Sequence, residues 1–208
     1  MIEHFGLYLV ITNPVTSYEA CAEAAVKAGL RYIQLRMKPA PSRDAVIAAG
    51  RNLAAIVKGS STRFIVDDDP DVAVACGADG VHLGQGDLPI SEARRRYPML
   101  RIFGLSTHNP AQLAAASLVA PDYCGVGPVY KTPTKAIPDP TLGPMLAGEM
   151  IRSTALTTVA IGGVNAQTLP EVLKAGAINF AVVRDVCRSS SPYDTIRRLQ
   201  DLWTSFLR

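Results

Sequence analysis

Eight short, near-continuous apolar runs recur along the chain: LYLVIT (Leu7–Thr12), YIQL (Tyr32–Leu35), FIV (Phe64–Val66), GVHLG (Gly80–Gly84), RIFGLS (Arg101–Ser106), YCGVGPVY (Tyr123–Tyr130), TTVAIGG (Thr157–Gly163) and NFAVVR (Asn179–Arg184). A strand with one wet face alternates polar and apolar residues, so unbroken runs suit strands covered on both faces, as in parallel sheets. Ala-rich segments with helical spacing separate them: Tyr18–Ala28, Arg43–Val57, Ala111–Val119 and Leu169–Ala175. In the last segment, Asp194–Leu207, the residues Ile196, Leu199, Leu202, Trp203 and Phe206 fall on one helix face. Parallel strands need such crossovers. KAGLRYIQL, ACGADGVHL and KAGAINFAV repeat one phrase of helix end, glycine, polar turn and strand, with Gly29, Gly77 and Gly176 where a helix terminus favours positive φ. Eight βα units in 208 residues predict one (β/α)8 barrel domain over residues 1–208. The rival, an open doubly wound sheet, would carry G-x-G-x-x-G after the first strand, where TNPVTS stands instead.

Composition narrows the function. With 48% hydrophobic and 19% charged residues the chain is ordinary globular material, and a formal net charge of +3 argues for neither nucleic acid nor a membrane surface. No apolar stretch is long enough to span a bilayer, and MIEHFGLYLVIT lacks the basic flank and cleavage site of a signal peptide. Cys21, Cys76, Cys124 and Cys187 form no C-x-x-C pair and read as small buried hydrophobes in a reducing compartment. The expectation is a soluble cytoplasmic protein whose partners are small molecules. Its oligomeric state is left open.

In a (β/α)8 barrel the groups that do chemistry gather at the C-terminal ends of the strands. Polar residues at those ends are Gln34, Arg36 and Lys38 after the second run and Asp67, Asp68 and Asp69 after the third. Gln85 and Asp87 follow the fourth, and Ser106, Thr107 and His108 close the fifth. Thr132, Thr134 and Lys135 follow the sixth, Gly162 and Gly163 end the seventh, and Arg184 ends the eighth. Two carboxylate groups on neighbouring strands suit Mg²⁺, which takes a few carboxylates plus substrate phosphates. Arg36, Lys38 and Lys135 offer positive charge to phosphate oxygens, and a glycine pair ahead of a helix exposes N–H groups to an anion. Plainer roles stand beside these. Asp69, ahead of Pro70, fits a helix N-cap, and Asp67 or Asp68 alone fits a solvated turn. His82 fits a satisfied barrel histidine and His108 either a cap or a catalytic group. Gly162-Gly163 fits a tight turn, and His4 and Arg94-Arg95-Arg96 fit solvated surface.

Six motifs in register resemble the thiamine phosphate synthase family: QLRMK, VDDD, GVHLGQGDLP, GLSTH, TPTK and AIGGV. The resemblance implies a (β/α)8 barrel that joins a hydroxymethylpyrimidine diphosphate to a thiazole phosphate with Mg²⁺, releasing diphosphate. It implies metal ligands at Asp68 and Asp87. Pyrimidine diphosphate contacts are implied at Gln34, Arg36 and Lys38, with Lys135 on the diphosphate, and further substrate contacts at Asp67 and Ser106. Thiazole phosphate contacts are implied at Thr132, Thr134, Gly163, Val183 and Arg184. Arg36, Lys38, Ser106 and Lys135 would act on the reacting groups. The chain departs from the family pattern at Asp67, usually Asn, at Arg184, usually Ser, and at Met37, usually Glu. Two alternatives are a thiazole tautomerase-like isomerase on the same barrel, needing no metal, and a non-catalytic barrel that binds phosphate ligands.

Overall fold

A closed barrel of eight parallel strands, paired in chain order with the eighth returning to the first, forms the centre of the computed structural model. The structure describes residues 2–134 and 139–208. The strands are β1 (Leu7–Ile11), β2 (Tyr32–Leu35), β3 (Arg63–Asp67), β4 (Gly80–Leu83), β5 (Ile102–Thr107), β6 (Tyr123–Val126), β7 (Thr158–Ala160) and β8 (Phe180–Val182). The crossover helices are α1 (Tyr18–Lys27), α2 (Arg43–Val57), α3 (Pro70–Cys76), α4 (Ile90–Arg96), α5 (Pro110–Val119), α6 (Gly143–Arg152) and α7 (Leu169–Lys174). A short α8 (Arg184–Cys187) and the amphipathic α9 (Pro192–Phe206) complete the ring.

Strand parity divides the apolar residues into two cores. Leu7, Leu9, Ile33, Leu35, Phe64, Val66, Val81, Leu83, Phe103, Val126, Phe180 and Val182 point outward and pack with the helices. Tyr8, Val10, Tyr32, Ile65, Tyr123, Val159 and Ala181 point inward and fill the barrel. Both faces of each strand are therefore covered over most of their length, which is why the sequence runs do not alternate.

Local signals act where the sequence places them. Gly29, Gly77 and Gly176 take φ of 72°, 72° and 110° at or just past helix ends. Asp69 caps α3, accepting from Val72 N at 3.1 Å, and Asn109 caps α5, accepting from Gln112 N at 2.9 Å. Three strands stop two or more residues before their apolar runs end. β6 stops at Val126, before Gly127 and Pro128, because proline has no N–H for the ladder. Val129 N and Tyr130 N still donate to Ile161 O and Gly162 O, so the segment runs on beside β7. β7 stops at Ala160, ahead of the glycine turn, and β8 at Val182, so Arg184 opens a helix rather than ending a strand.

The basic run Arg94–Arg96 is not uniformly solvated. Arg94 donates to Val119 O at 2.9 Å and Ala120 O at 2.8 Å, fastening the C-terminal end of α5. Arg95 and Arg96 pair with Glu92 on their own helix.

Candidate active site

The inward positions nearest the C-terminal strand ends line one cavity of about 650 Å³: Val10, Gln34, Asp67, His82, Ser106, Gly125, Ile161 and Val183, one from each strand or its immediate extension. The size suits a small-molecule site. Arg36, Thr132, Thr134, Gly163 and Arg184 line it too. Thus nine of the expected residues meet in one cavity: Gln34, Arg36, Asp67, Ser106, Thr132, Thr134, Gly163, Val183 and Arg184. Lys38, Asp68 and Asp87 stand beside it: Lys38 pairs with Asp67 and Asp68, and Asp87 adjoins Asp68. Lys135 lies outside the described residues.

One end of the cavity is a charge cluster. Asp67 Oδ2 lies 3.3 Å from Arg36 Nε and 3.4 Å from Lys38 Nζ. Lys38 also binds Asp68 directly. Burial, helped by the Asp68 charge, pushes the Asp67 carboxyl up to about 6 against the pull of Lys38 and Arg36. Burial also raises Asp87, partly offset by Gly84 N, which donates to its Oδ2 at 2.6 Å; the Asp68 charge and a hydrogen bond to Asp68 raise it further. Burial works to lower the Lys38 ammonium, but its bonds to Asp68 and Asp67 prevail and the net shift is upward.

The chain places Asp68 by a tight turn. Asp68 N donates to His82 O at 2.8 Å, and Asp69 N reaches back to Asp67 O at 2.8 Å. Asp68 between them takes φ of 61°, a left-handed conformation uncommon for a residue other than glycine. Such strain is often held at functional positions by the surrounding structure. Here it turns the Asp68 carboxylate toward Asp87 and Lys38.

The other end is a glycine turn. Gly162 and Gly163 have φ of 97° and 68°. A Cβ on Gly163 would stand 2.6 Å from Tyr130 Cβ, and one on Gly162 2.6 Å from Pro128 Cα. Close packing alone therefore demands glycine at both, whatever binds there. Asp185 braces the turn by accepting from Ala166 N at 2.9 Å and lies 3.7 Å from Arg198. Thr132 Oγ1 and Thr134 Oγ1 are 3.0 Å apart on the facing loop. The Arg184 side chain is exposed and has no hydrogen bond or ion pair among the described residues.

His108 also faces the cavity, held by Gly127 O at 2.7 Å from Nδ1 and by Asp139 at 3.5 Å from Nε2. His82 is a satisfied barrel histidine, as one reading of the sequence has it, and it touches the expected site residue Ser106 at 2.9 Å. Sequence reasoning missed Tyr8 and Tyr123, which join this group from below. Their signal is parity, since each sits at an inward position of its strand. Lys131 and Arg188 also line the cavity and went unread.

The acidic end fits a hard divalent cation. Asp68 and Asp87 supply adjacent carboxylate oxygens at an open rim, and among the described residues the three carboxylates there face two cations, Arg36 and Lys38. Two carboxylates with room left for phosphate oxygens and water is the donor set Mg²⁺ favours.

The family model for thiamine monophosphate synthase matches residues 7–186. A thiamine-phosphate synthase of Methanospirillum hungatei is 38% identical over 95% of this chain and 97% of its own length. One from Synechocystis sp. is also 38% identical over 95% of this chain, which spans 57% of that longer protein. Among solved structures, thiamine phosphate pyrophosphorylase from Pyrococcus furiosus superposes with a TM-score of 0.86 at 31% identity, covering 99% of this chain and 98% of that one. On the family match and these relatives, the chain belongs to the thiamine monophosphate synthase family.

Proposed function

We propose that this protein is a transferase that joins a hydroxymethylpyrimidine, delivered as its diphosphate, to a thiazole phosphate in a Mg²⁺-dependent reaction, giving thiamine phosphate and diphosphate. The observation that carries the reading is one cavity with two polar ends of different character. A carboxylate–cation cluster stands at one end, and at the other a glycine turn with Arg184, whose side chain has no partner among the described residues. Two anionic substrates bound there would point their uncharged rings at each other between Gln34, Ser106 and Val183.

The chemistry asks little of the side chains as nucleophiles or bases. The bond between the pyrimidine methylene carbon and the diphosphate oxygen breaks with its electrons leaving on diphosphate. The thiazole nitrogen then gives its lone pair to that carbon. The electron-rich aminopyrimidine spreads the positive charge between these events. Arg36 and Lys38 hold the departing diphosphate, as does Lys135 in this reading, and stabilise the charge that develops on it. Asp68 and Asp87 would hold Mg²⁺, whose chemistry there is further neutralisation of that diphosphate. Thr132, Thr134, Gly163, Val183 and Arg184 hold the thiazole phosphate so that its nitrogen faces the carbon, replacing an encounter by a fixed approach. Residues 1–208 act in this scheme as one domain, and four free, buried cysteines suit a cytoplasmic setting.

The test is turnover of the two synthetic substrates with and without Mg²⁺. Thiamine phosphate and diphosphate should appear one for one, and only with the metal. Thiazole isomerisation without metal would instead mark a tautomerase, and binding without product a phosphate-binding barrel. Arg184→Ser sharpens the acceptor end. Losing a charge-assisted contact worth about 1.5–3 kcal/mol should raise KM for thiazole phosphate about tenfold or more and leave KM for the pyrimidine diphosphate unchanged. Better use of thiazole phosphate would show Arg184 obstructing that acceptor.

A further inference from the structure

Beneath the cavity floor runs a line of hydrogen bonds that the roles above leave unexplained. Gln34 Nε2 donates to Tyr8 Oη at 3.4 Å. Tyr8 Oη and Tyr123 Oη are 2.8 Å apart. Tyr123 Oη lies 3.1 Å from His82 Nδ1, and His82 Nε2 lies 2.9 Å from Ser106 Oγ. Gln34 and Ser106, the two ends, both line the cavity, while Tyr8 and Tyr123 are each 2% exposed. The line joins two substrate-facing side chains through the barrel interior.

The strand register makes room for it. His82, Gly104 and Tyr123 are successive partners across β4, β5 and β6. Gly104 has no side chain, so the His82 and Tyr123 rings meet over it, stacked at 5.5 Å with an interplanar angle of 20°. A Cβ on Gly104 would stand 2.3 Å from Tyr123 Cζ and 2.5 Å from His82 Nδ1. Here the glycine is required by the side chains that cross it, not by its own backbone.

Counting protons gives the line a direction. An amide NH₂ only donates, so Tyr8 Oη accepts from Gln34. Burial drives both phenols upward, so each keeps its proton. A buried hydroxyl proton without an acceptor is costly, and neither phenol oxygen is left without a partner. All these bonds are satisfied together when Tyr8 donates to Tyr123 and Tyr123 donates to His82 Nδ1. The imidazole proton then sits on Nε2 and is given to Ser106 Oγ. Ser106, already accepting, has its own proton left for the cavity.

We propose that His82, held in its Nε2–H tautomer by Tyr123 and Tyr8, is a positioning residue that presents Ser106 as a hydrogen-bond donor to an anionic diphosphate oxygen of the bound substrate. The identity of that anion rests on the function proposed above; the tautomer and the direction of the line do not.

The test has two independent readouts on the full chain. The first is ¹⁵N-histidine NMR without substrate. With three histidines present, a His82→Gln comparison assigns the signal. His82 should show the Nε2–H tautomer, and Tyr8→Phe/Tyr123→Phe, which removes both hydroxyls at nearly constant volume, should release it to a mixture. An Nδ1–H signal in the unsubstituted protein, or no change in the variant, overturns the proposal. The second readout is a double-mutant cycle. Ser106→Ala and Tyr8→Phe/Tyr123→Phe should each lower kcat about tenfold, and the triple variant no further than Ser106→Ala alone. Additive losses would mean that the tyrosines merely support the fold. Titration with inorganic diphosphate runs the same cycle without turnover, so failure of the proposed reaction and failure of the line are told apart. If Tyr8→Phe/Tyr123→Phe does not fold, Tyr123→Phe alone takes its place.

Discussion

At the N-terminal end of the barrel, Asn179 accepts from Phe5 N and Gly6 N and donates to Glu3 O and Thr158 O. Glu3 in turn pairs with Arg31 and accepts from the Tyr32 hydroxyl. At the C-terminal end, among the described residues, the Arg184 side chain finds no partner and three carboxylates share two cations, and Asp68 is held at positive φ. Both ends are rich in polar groups. At one end the protein satisfies them itself. At the other, among the described residues, the charges are less evenly matched. That contrast separates stability from function in this barrel more clearly than any one motif does.

The sharpest way to break the contrast is to empty the acidic rim. Asp87→Ala and Asp68→Ala should each lower kcat by about a hundredfold or more, in line with the loss of one strong electrostatic group in a catalytic site. Each should also flatten the dependence of rate on Mg²⁺ concentration. Neither should lower the Tm of the metal-free protein appreciably, because each removes a carboxylate from a site where carboxylates are in excess. A matching loss of stability would put these residues in the structural class of Asn179.

The complementary experiment is Asn179→Ala at the closed end. It strands two N–H groups and two carbonyls at a residue 2% exposed, and a loss of about 2–4 kcal/mol is expected in chemical denaturation. Turnover per folded molecule and both KM values should stay as they were. A changed KM would mean that the bottom of the barrel is coupled to its mouth.

The sequence shows this contrast unevenly, for physical reasons. Strands covered on both faces must be apolar throughout, so all eight announce themselves, and Asp69 marks a helix start because an unpaired N–H needs a cap, whereas the cap of α5 falls on Asn109 and not on His108. Strand ends are less legible: the apolar residues of VGPVY and AIGG continue after the ladder has stopped. The rim carboxylates and cations can be read from their position after strands. What lies under them cannot. Tyr8 and His82 are separated by 74 positions along the chain, and only barrel closure brings them to the same phenol, Tyr123. Arg94 likewise looks like one member of a solvated basic run until α5 ends beside it.

Asp67 tests the mouth from the side of pH. Its carboxyl sits at about 6 when folded, against about 3.9 in an unfolded chain. Below the unfolded value both states hold the proton, and the folded protein's preference for neutral Asp67 counts in full. As pH rises through 6 the group must ionise while buried, and that stability is lost. Asp67→Asn cannot ionise. In metal-free buffer its stability relative to the unsubstituted protein should therefore rise by roughly 1–3 kcal/mol between pH 4 and pH 7. A difference that stays flat with pH would mean that Arg36 and Lys38 fully offset the burial.

The smallest effect expected at the mouth belongs to the third carboxylate of the same run. Asp69 caps α3 through Val72 N and lies 3.2 Å from Arg43 at an exposed position, so its side chain is engaged within the protein. Asp69→Ala should cost about 1 kcal/mol of stability, the usual worth of a cap. The tight turn that holds Asp68 uses the Asp69 backbone N–H and not its carboxylate, so alanine leaves it intact. Asp69→Ala should therefore keep full turnover and full Mg²⁺ dependence. Asp69→Asn, which preserves a capping oxygen, should recover most of the lost stability. If Asp69→Ala instead matched Asp68→Ala in lost turnover while remaining folded, the metal would have to be assigned to the run as a whole, and Asp68 would lose its place as the ligand.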